Sequence, residues 1–200
     1  MTPQEIYALF QSKKGATNLA DLATIGAVIA YCRKNNPRTV LELGGGIGTL
    51  SYSVLKNSNA TLDIYEHNDF CVGALNENLK DYKGRFTIIP NYLTLPPRRE
   101  YDLVIVDGGK GKNEHDGGFS LAIAAYLSSL TSLKTIIVEG QRKSQRYWAV
   151  EAIRSRYLYK PTKYKDPSGG KRGSLRIDCK PCSSEVLRLA NHWYWGSRIY

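Results

Sequence analysis

The chain has 200 residues, 42% of them hydrophobic and 23% charged, and a formal net charge of +10. That suits one domain with a sizeable core and sets aside a low-complexity polymer; without a basic-then-apolar leader or an apolar run of membrane length, it points to a cytoplasmic protein that stays off the membrane. The charge is uneven, with 11 Lys/Arg against 9 Asp/Glu in residues 1–100 and 17 against 9 in residues 101–200, so the second half suits an anionic partner, either nucleic acid or an acidic substrate, unless it serves solubility alone.

Taken in order, Thr2-Pro3-x-Glu5 supplies a cap, a first-turn proline and a capping glutamate for a helix that runs to about Lys14 and stops at Gly15. Leu19, Leu22, Ile25, Ile29 and Cys32 recur at helical spacing, which predicts a second helix from Asn18 to about Asn35 with Pro37 as its stop. Val40 to Leu43 reads as a short buried strand. The glycines at 44, 45, 46 and 48 then force a tight turn into a helix over about 47–57. Strand, glycine turn and helix N-terminus together make a ligand cradle, because glycine admits close approach and the helix end offers unpaired N–H donors.

The spacing narrows the ligand. A dinucleotide fingerprint requires Gly-x-Gly-x-x-Gly, and here the third glycine, Gly48, falls one position early. The pattern is instead Glu42-x-Gly44-x-Gly46-x-Gly48. A carboxylate at the strand end would repel a pyrophosphate and suits a cationic ligand bearing an amino acid. The plainer reading is a structural strand-to-helix turn.

Thr61 to Glu66 is the second strand, ending in an acid that can accept two hydrogen bonds from ribose hydroxyls. A helix from Asp69, its expected cap, runs to about Tyr82. The third strand spans Arg85 to Pro90 and ends at Asn91, which is either a partner for a purine edge or an Asx turn. Tyr101 to Asp107 is a fourth strand, apolar on both faces and again ending in an acid. Such strands alternating with helices imply a parallel sheet that binds ligands at its carboxyl ends, so Glu42, Glu66, Asn91 and Asp107 converge on one rim.

A glycine-rich charged loop, Gly108 to Asp116, leads to a helix over about 116–130. A fifth strand from Lys134 to Val138 then ends in Glu139-Gly140. A helix over about 144–156 precedes a sixth strand, Tyr157 to Lys163. After a turn at Asp166–Gly173, residues 174–179 alternate like a strand, so the last two strands form an antiparallel hairpin. The Cys179-Lys-Pro-Cys182 pair lacks the second pair or histidines that zinc requires and follows a strand rather than opening a helix, which makes it structural. The aromatic tail from His192 to Tyr200 has three readings: packing on the sheet edge, which is the plainest, a homodimer surface, or stacking on bases. There is no internal repeat or domain boundary, so residues 1–200 form one domain. Its parts are leading helices at 1–36, a ligand-binding core at 37–165, and the terminal strand with its tail at 166–200.

The glycine turn with its preceding Glu42, and the acid ending the second strand, resemble the first motifs of class I S-adenosylmethionine (SAM) dependent methyltransferases. Val40-Leu-Glu-Leu-Gly44, Ile64-Tyr-Glu66-His-Asn68, Asp102-Leu-Val-Ile-Val-Asp107 and Thr135-Ile-Ile-Val-Glu139 look like successive motifs of the small-molecule O-methyltransferases of the catechol and caffeoyl-CoA type, over about residues 17–140. The resemblance implies an α/β, doubly wound, mostly parallel seven-stranded Rossmann-like sheet finished by an antiparallel hairpin. It also implies SAM held by Glu42, Gly44, Gly45, Gly46, Gly48, Glu66, Asn91 and Asp107, with Thr17 and Asn18 over the pocket.

In that family the fourth strand ends in Asp-x-x-Lys, the Asp a metal ligand and the Lys a general base; Asp107-Gly-Gly-Lys110 keeps the spacing. The family's second metal position is an Asp-Asn pair, where this chain has Glu139-Gly140, so magnesium on Asp107 and Glu139 would lack one ligand. Glu114 and His115 are alternative loop ligands or bases. The expected machinery is therefore Lys110 or His115 as base and Asp107 as orienting group, with Arg142 and Lys143 attracting an anionic small-molecule acceptor of an O- or N-methyl transfer. An RNA methyltransferase is the rival within the class. The Asp/Asn-Pro-Pro-aromatic motif of amino-methylating DNA enzymes is not what Val106-Asp107-Gly108-Gly109 offers. A non-catalytic SAM-fold or nucleic-acid-binding module, and an NAD-linked dehydrogenase, are the alternatives outside it.

Overall fold

The computed structural model describes residues 1–90, 98–108, 119–166 and 173–199. Helix α1 (Pro3–Gln11) opens on the expected capping box: Thr2 accepts from the Glu5 N–H, and the Glu5 carboxylate accepts from the Thr2 N–H. A 3-10 turn at Ala16–Asn18 follows. Helix α2 (Leu22–Asn35) starts later than its apolar spacing predicts. The reason is Asp21, whose carboxylate accepts from Thr24 N and Oγ1 at 2.7 Å each and so fixes the first turn there.

Strand β1 (Thr39–Leu43), helix α3 (Thr49–Asn57), strand β2 (Thr61–Tyr65), helix α4 (Asp69–Asn78) and strand β3 (Phe86–Ile89) come next. The cap of α4 is Asn68 rather than Asp69, because the Asn68 oxygen accepts from Cys71 N at 3.1 Å. Strand β4 (Leu103–Val106), helix α5 (Phe119–Ser129), strand β5 (Thr135–Val138) and helix α6 (Lys143–Ile153) complete the wound core, and strands β6 (Tyr157–Lys165) and β7 (Gly173–Pro181) form the terminal pair. The tail expected after them is in part a helix, α7 (Glu185–Trp195), capped by Ser184, whose oxygen accepts from Leu187 N.

The strands lie in the order β3-β2-β1-β4-β5-β7-β6, parallel except for β7, which runs antiparallel to both β5 and β6. This is the doubly wound sheet with the closing hairpin that the alternation of elements predicts. The winding order, not the strand direction, reverses between the parallel neighbours β1 and β4, and a crevice opens at such a point outside the strands' carboxyl ends. Period-two alternation divides the core into two layers. Leu41, Leu43, Val104, Val106, Ile136 and Val138 face α5 and α6, while Val40, Leu62, Ile64, Leu103, Ile105 and Ile137 face α1 to α3. The acids at 42, 66, 107 and 139 all continue the second parity. The ladder carries past the strand ends to hold the last three, with Glu66 N donating to Ile89 O, Asp107 N to Leu43 O and Glu139 N to Val106 O at 2.9–3.1 Å. One buried acid faces the other way: Asp63 accepts both Arg99 donors at 2.9 Å and the Tyr101 hydroxyl at 2.8 Å.

The sheet's edges are β3 and β6, and β6 carries Lys160, Pro161, Lys163 and Lys165. Such residues discourage a further strand from pairing there. Helix α7 closes part of the same edge, since the Asn191 amide accepts from Tyr159 N at 2.9 Å and donates to Tyr159 O at 3.1 Å. Among the described residues, no helix is long and apolar enough to cross a membrane, and Cys32, Cys71, Cys179 and Cys182 are all free.

Candidate functional site

The glycine turn after β1 is the floor of the crevice. Gly44 has φ +92°, and a Cβ there would come within 2.5 Å of the Asp107 carbonyl and the Gly108 Cα, so only glycine lets the first turn pass the end of β4. Gly46, at φ +51°, is different: a Cβ on it would meet nothing within 4 Å. The turn therefore holds open space above Gly46, with the start of α3 beside it. Gly45 and Gly48 instead back onto Ile64 and Leu75 and fit the turn to the core.

Glu66 organises this turn. Its Oε2 accepts from Gly46 N at 2.8 Å, and its Oε1 accepts from His67 N and Asn68 N at 2.9 Å each. Three of about four acceptor positions of a carboxylate are thus taken by backbone, which aims the group at the cradle and leaves room for one further donor. Glu42 lies beneath it, buried. Ser51 Oγ of α3 donates a short hydrogen bond to Glu42 Oε2, and Oε1 has no hydrogen-bond partner among the described residues. Burial pushes the Glu42 carboxyl up from 4.5 to about 8, the Ser51 hydrogen bond pulls it back, and the nearby Glu66 adds to the rise. An orphaned buried carboxyl oxygen is costly unless something arrives to meet it.

On the β4–β5 side, Arg142 takes up the acids. Its Nη2 lies 3.1 Å from Glu139 Oε2 and 3.6 Å from Asp107 Oδ1, and its Nη1 donates to the Gly108 carbonyl, which also accepts from Gln145 Nε2 at 2.7 Å. Burial and the neighbouring Glu139 push the Asp107 carboxyl well above its ordinary value. Arg142 pulls it back, and Glu42 and Asp21 add to the rise. Arg146 donates to the Gly140 carbonyl at 2.6 Å, while its Nε, Gln145 Oε1 and Asp21 Oδ2 are buried with no hydrogen-bond partner among the described residues.

The predicted residues Glu42, Gly44, Gly45, Gly46, Gly48, Glu66, Asp107 and Glu139 thus share one rim. Asn91, Lys110, Glu114 and His115 lie outside the described residues. Thr17 and Asn18 are exposed, while their neighbour Gly15 sits over Ile47 of the turn. Lys143 is exposed, and Arg142, expected to face an anionic acceptor, faces two carboxylates instead. The expected magnesium position does not fit this arrangement. Asp107 and Glu139 are the two carboxylates proposed for it, a guanidinium already spans them, and among the described residues no group of three or more His, Cys, Asp or Glu side chains could hold a metal.

Asp21, Ser51 and Gln145 had not been singled out in the sequence, and Arg146 counted only among the cations of the basic second half. Asp21 carried a signal, an acid three residues before Thr24 at the head of an apolar helical run. Ser51 and Gln145 are placed by the packing of α3 and α6 across the sheet and had none.

The sequence matches no family model, and no curated protein matches it. Solved structures do resemble it. A candidate RNA methyltransferase from Pyrococcus horikoshii superposes with a TM-score of 0.61 at 18% identity, over 92% of this chain and 100% of that one. The N-methyltransferase NodS from Bradyrhizobium japonicum, in complex with S-adenosylhomocysteine (SAH), gives 0.63 at 12% identity, over 91% and 100%. The SAH-bound methyltransferase PaMTH1 from Podospora anserina gives 0.59 at 18% identity, over 89% and 87%. Likenesses at this identity reach the fold and do not single out the O-methyltransferases. With its strand order, its reversed seventh strand and an acid-rimmed glycine turn at the point where the winding reverses, the chain has the class I SAM-dependent methyltransferase fold.

Proposed function

We propose that the protein is a SAM-dependent methyltransferase that moves a methyl group to a nitrogen or oxygen of an anionic small molecule. The observation that carries this reading is the buried Glu42 Oε1, without a hydrogen-bond partner among the described residues, at the foot of a turn whose Gly46 N–H is held by Glu66. A dinucleotide would bring phosphates against these two acids. A ligand with an ammonium and a sulfonium brings positive charge, and its ribose brings hydroxyl donors for the remaining acceptor position on Glu66.

Bound SAM supplies an electrophilic methyl group on a positively charged sulfur. The chain's own residues do the rest. Glu42 and the glycine turn hold the amino-acid end, Glu66 orients the ribose, and Asn91 meets the purine edge. Asp107 holds a proton more readily than an ordinary aspartate, so it can share one with the acceptor atom, while Arg142 and Gln145 pin the carbonyl of Gly108, from which residues 109–118 continue. Within those residues Lys110 or His115 removes the acceptor's proton. The acceptor's negative charge is met by Lys143 and the surplus cations of the second half rather than by Arg142. The same surplus, with the RNA methyltransferase likeness, supports RNA as a second reading.

Calorimetry with SAH tests the cofactor assignment. Wild type binds, and Gly46→Ala, whose methyl enters the cradle, binds at least about tenfold more weakly, while the strain of alanine at positive φ lowers its melting temperature by only a few degrees and leaves it folded at 25 °C. An absence of binding to wild type, or equal binding to the variant, refutes it. Transfer of labelled methyl to carboxylated or phosphorylated small molecules, against transfer to RNA, then separates the two acceptor classes.

A further inference from the structure

Helix α7 carries an apolar face that the fold leaves uncovered. Val186, Leu187, Leu189, Trp193 and Tyr194 are all exposed, Trp193 at 85% and Val186 at 75%. With exposed Ala190 they fill one continuous arc of about 160° on the helix. The opposite arc is the one that docks: Asn191 holds the edge of β6, and His192 Nδ1 meets the Tyr159 hydroxyl at 2.7 Å.

From this arrangement we infer that the protein is a homodimer, two α7 helices packing antiparallel across a twofold axis. Three features select a second copy as the occupant. The first is area: the exposed parts of the five large side chains amount to roughly 600 Å², close to the ~800 Å² per partner of a stable complex and at the upper limit of what a monomer leaves bare. The second is shape. Ala190, the smallest residue of the stripe, lies near its middle, so two helices crossing there approach closely, with Val186 of each opposite the partner's Tyr194 and Leu187 opposite the partner's Trp193.

The third is the helix dipole, since an antiparallel pair sets each helix N-terminus beside the partner's C-terminus. A lipid surface fits less well, because the polar arc of α7 carries Glu185, Arg188, Asn191 and His192 rather than a row of lysines and arginines, and Arg188 is held by the Cys182 carbonyl at 2.6 Å.

The test is sedimentation and light scattering on the whole chain across the micromolar range, together with flotation on anionic phosphatidylserine vesicles. The expected mass is twice 22.4 kDa. Trp193→Glu should weaken the dimer at least about thirtyfold, the effect of losing a central aromatic anchor, with the melting profile of the monomer intact because the side chain is exposed. Ala190→Glu, at the point where the helices cross, should weaken it as well, because it sets two carboxylates against each other. A monomeric wild type overturns the inference, whether or not it floats with vesicles. So does a dimer that Trp193→Glu or Ala190→Glu leaves unchanged.

Discussion

Replacing Glu42 by Gln should change how stability depends on pH, by an amount the structure sets. The Glu42 carboxyl is fully inside the protein, and burial raises it from 4.5 to about 8, so between those values the folded chain holds a proton that the unfolded chain has released. Stability therefore falls as pH rises through that window, and the loss is complete above about pH 8. A displacement of about 3.5 units corresponds to about 5 kcal/mol, a large share of the ~5–15 kcal/mol that holds a domain together.

Gln cannot titrate, yet it keeps an oxygen to accept from Ser51, so the variant should match wild type near pH 5 and exceed it by several kcal/mol near pH 9. Urea unfolding of both proteins across that range measures the difference directly, and cancels whatever Asp107 and other groups contribute to each curve. Parallel curves would refute the argument, because they would mean that Glu42 is solvated or already paired. The same carboxyl links cofactor to protons. At pH 7 a group titrating near 8 is roughly nine-tenths protonated, so a cation arriving against it should expel close to one proton, and calorimetry with SAH in two buffers of different ionisation heat should detect that proton in wild type and not in Glu42→Gln.

Two further outcomes follow from the charges around the sheet. Arg142→Ala should leave Asp107 and Glu139 facing each other without their cation, so manganese or magnesium should raise the melting temperature of the variant and leave that of wild type unmoved; a metal-stabilised wild type would contradict the guanidinium's place between them. Asp63→Ala should cost about 1–3 kcal/mol in chemical unfolding, since it leaves the buried Tyr101 hydroxyl without its acceptor while the partly exposed Arg99 turns to water, and an unchanged stability would mean that water replaces the carboxylate there.

How much of this could be read from the chain alone differs from part to part. The acid-bearing strand ends were readable because a buried parallel strand must be apolar until it leaves the sheet, so a carboxylate that closes such a run marks the rim. The glycine turn was readable because backbone at positive φ excludes most other residues, and the two hairpin strands because period-two alternation survives in β6 and β7. Helix α7 was hidden by its own stripe. Trp193, Tyr194 and Trp195 look like packing residues, and only Ser184 signalled a helix start.

The sequence by itself determined the doubly wound sheet, the rim along which its acids gather, and the residue types at four of its strand ends, because local periodicity and turn chemistry act over a few neighbouring residues. Tertiary structure alone decided that Arg142 bridges Asp107 and Glu139, that Glu42 is left with one unanswered oxygen, and that α7 turns its apolar arc outward. Those are meetings between residues far apart in the chain, and their energies depend on burial and distance, which the order of amino acids does not express.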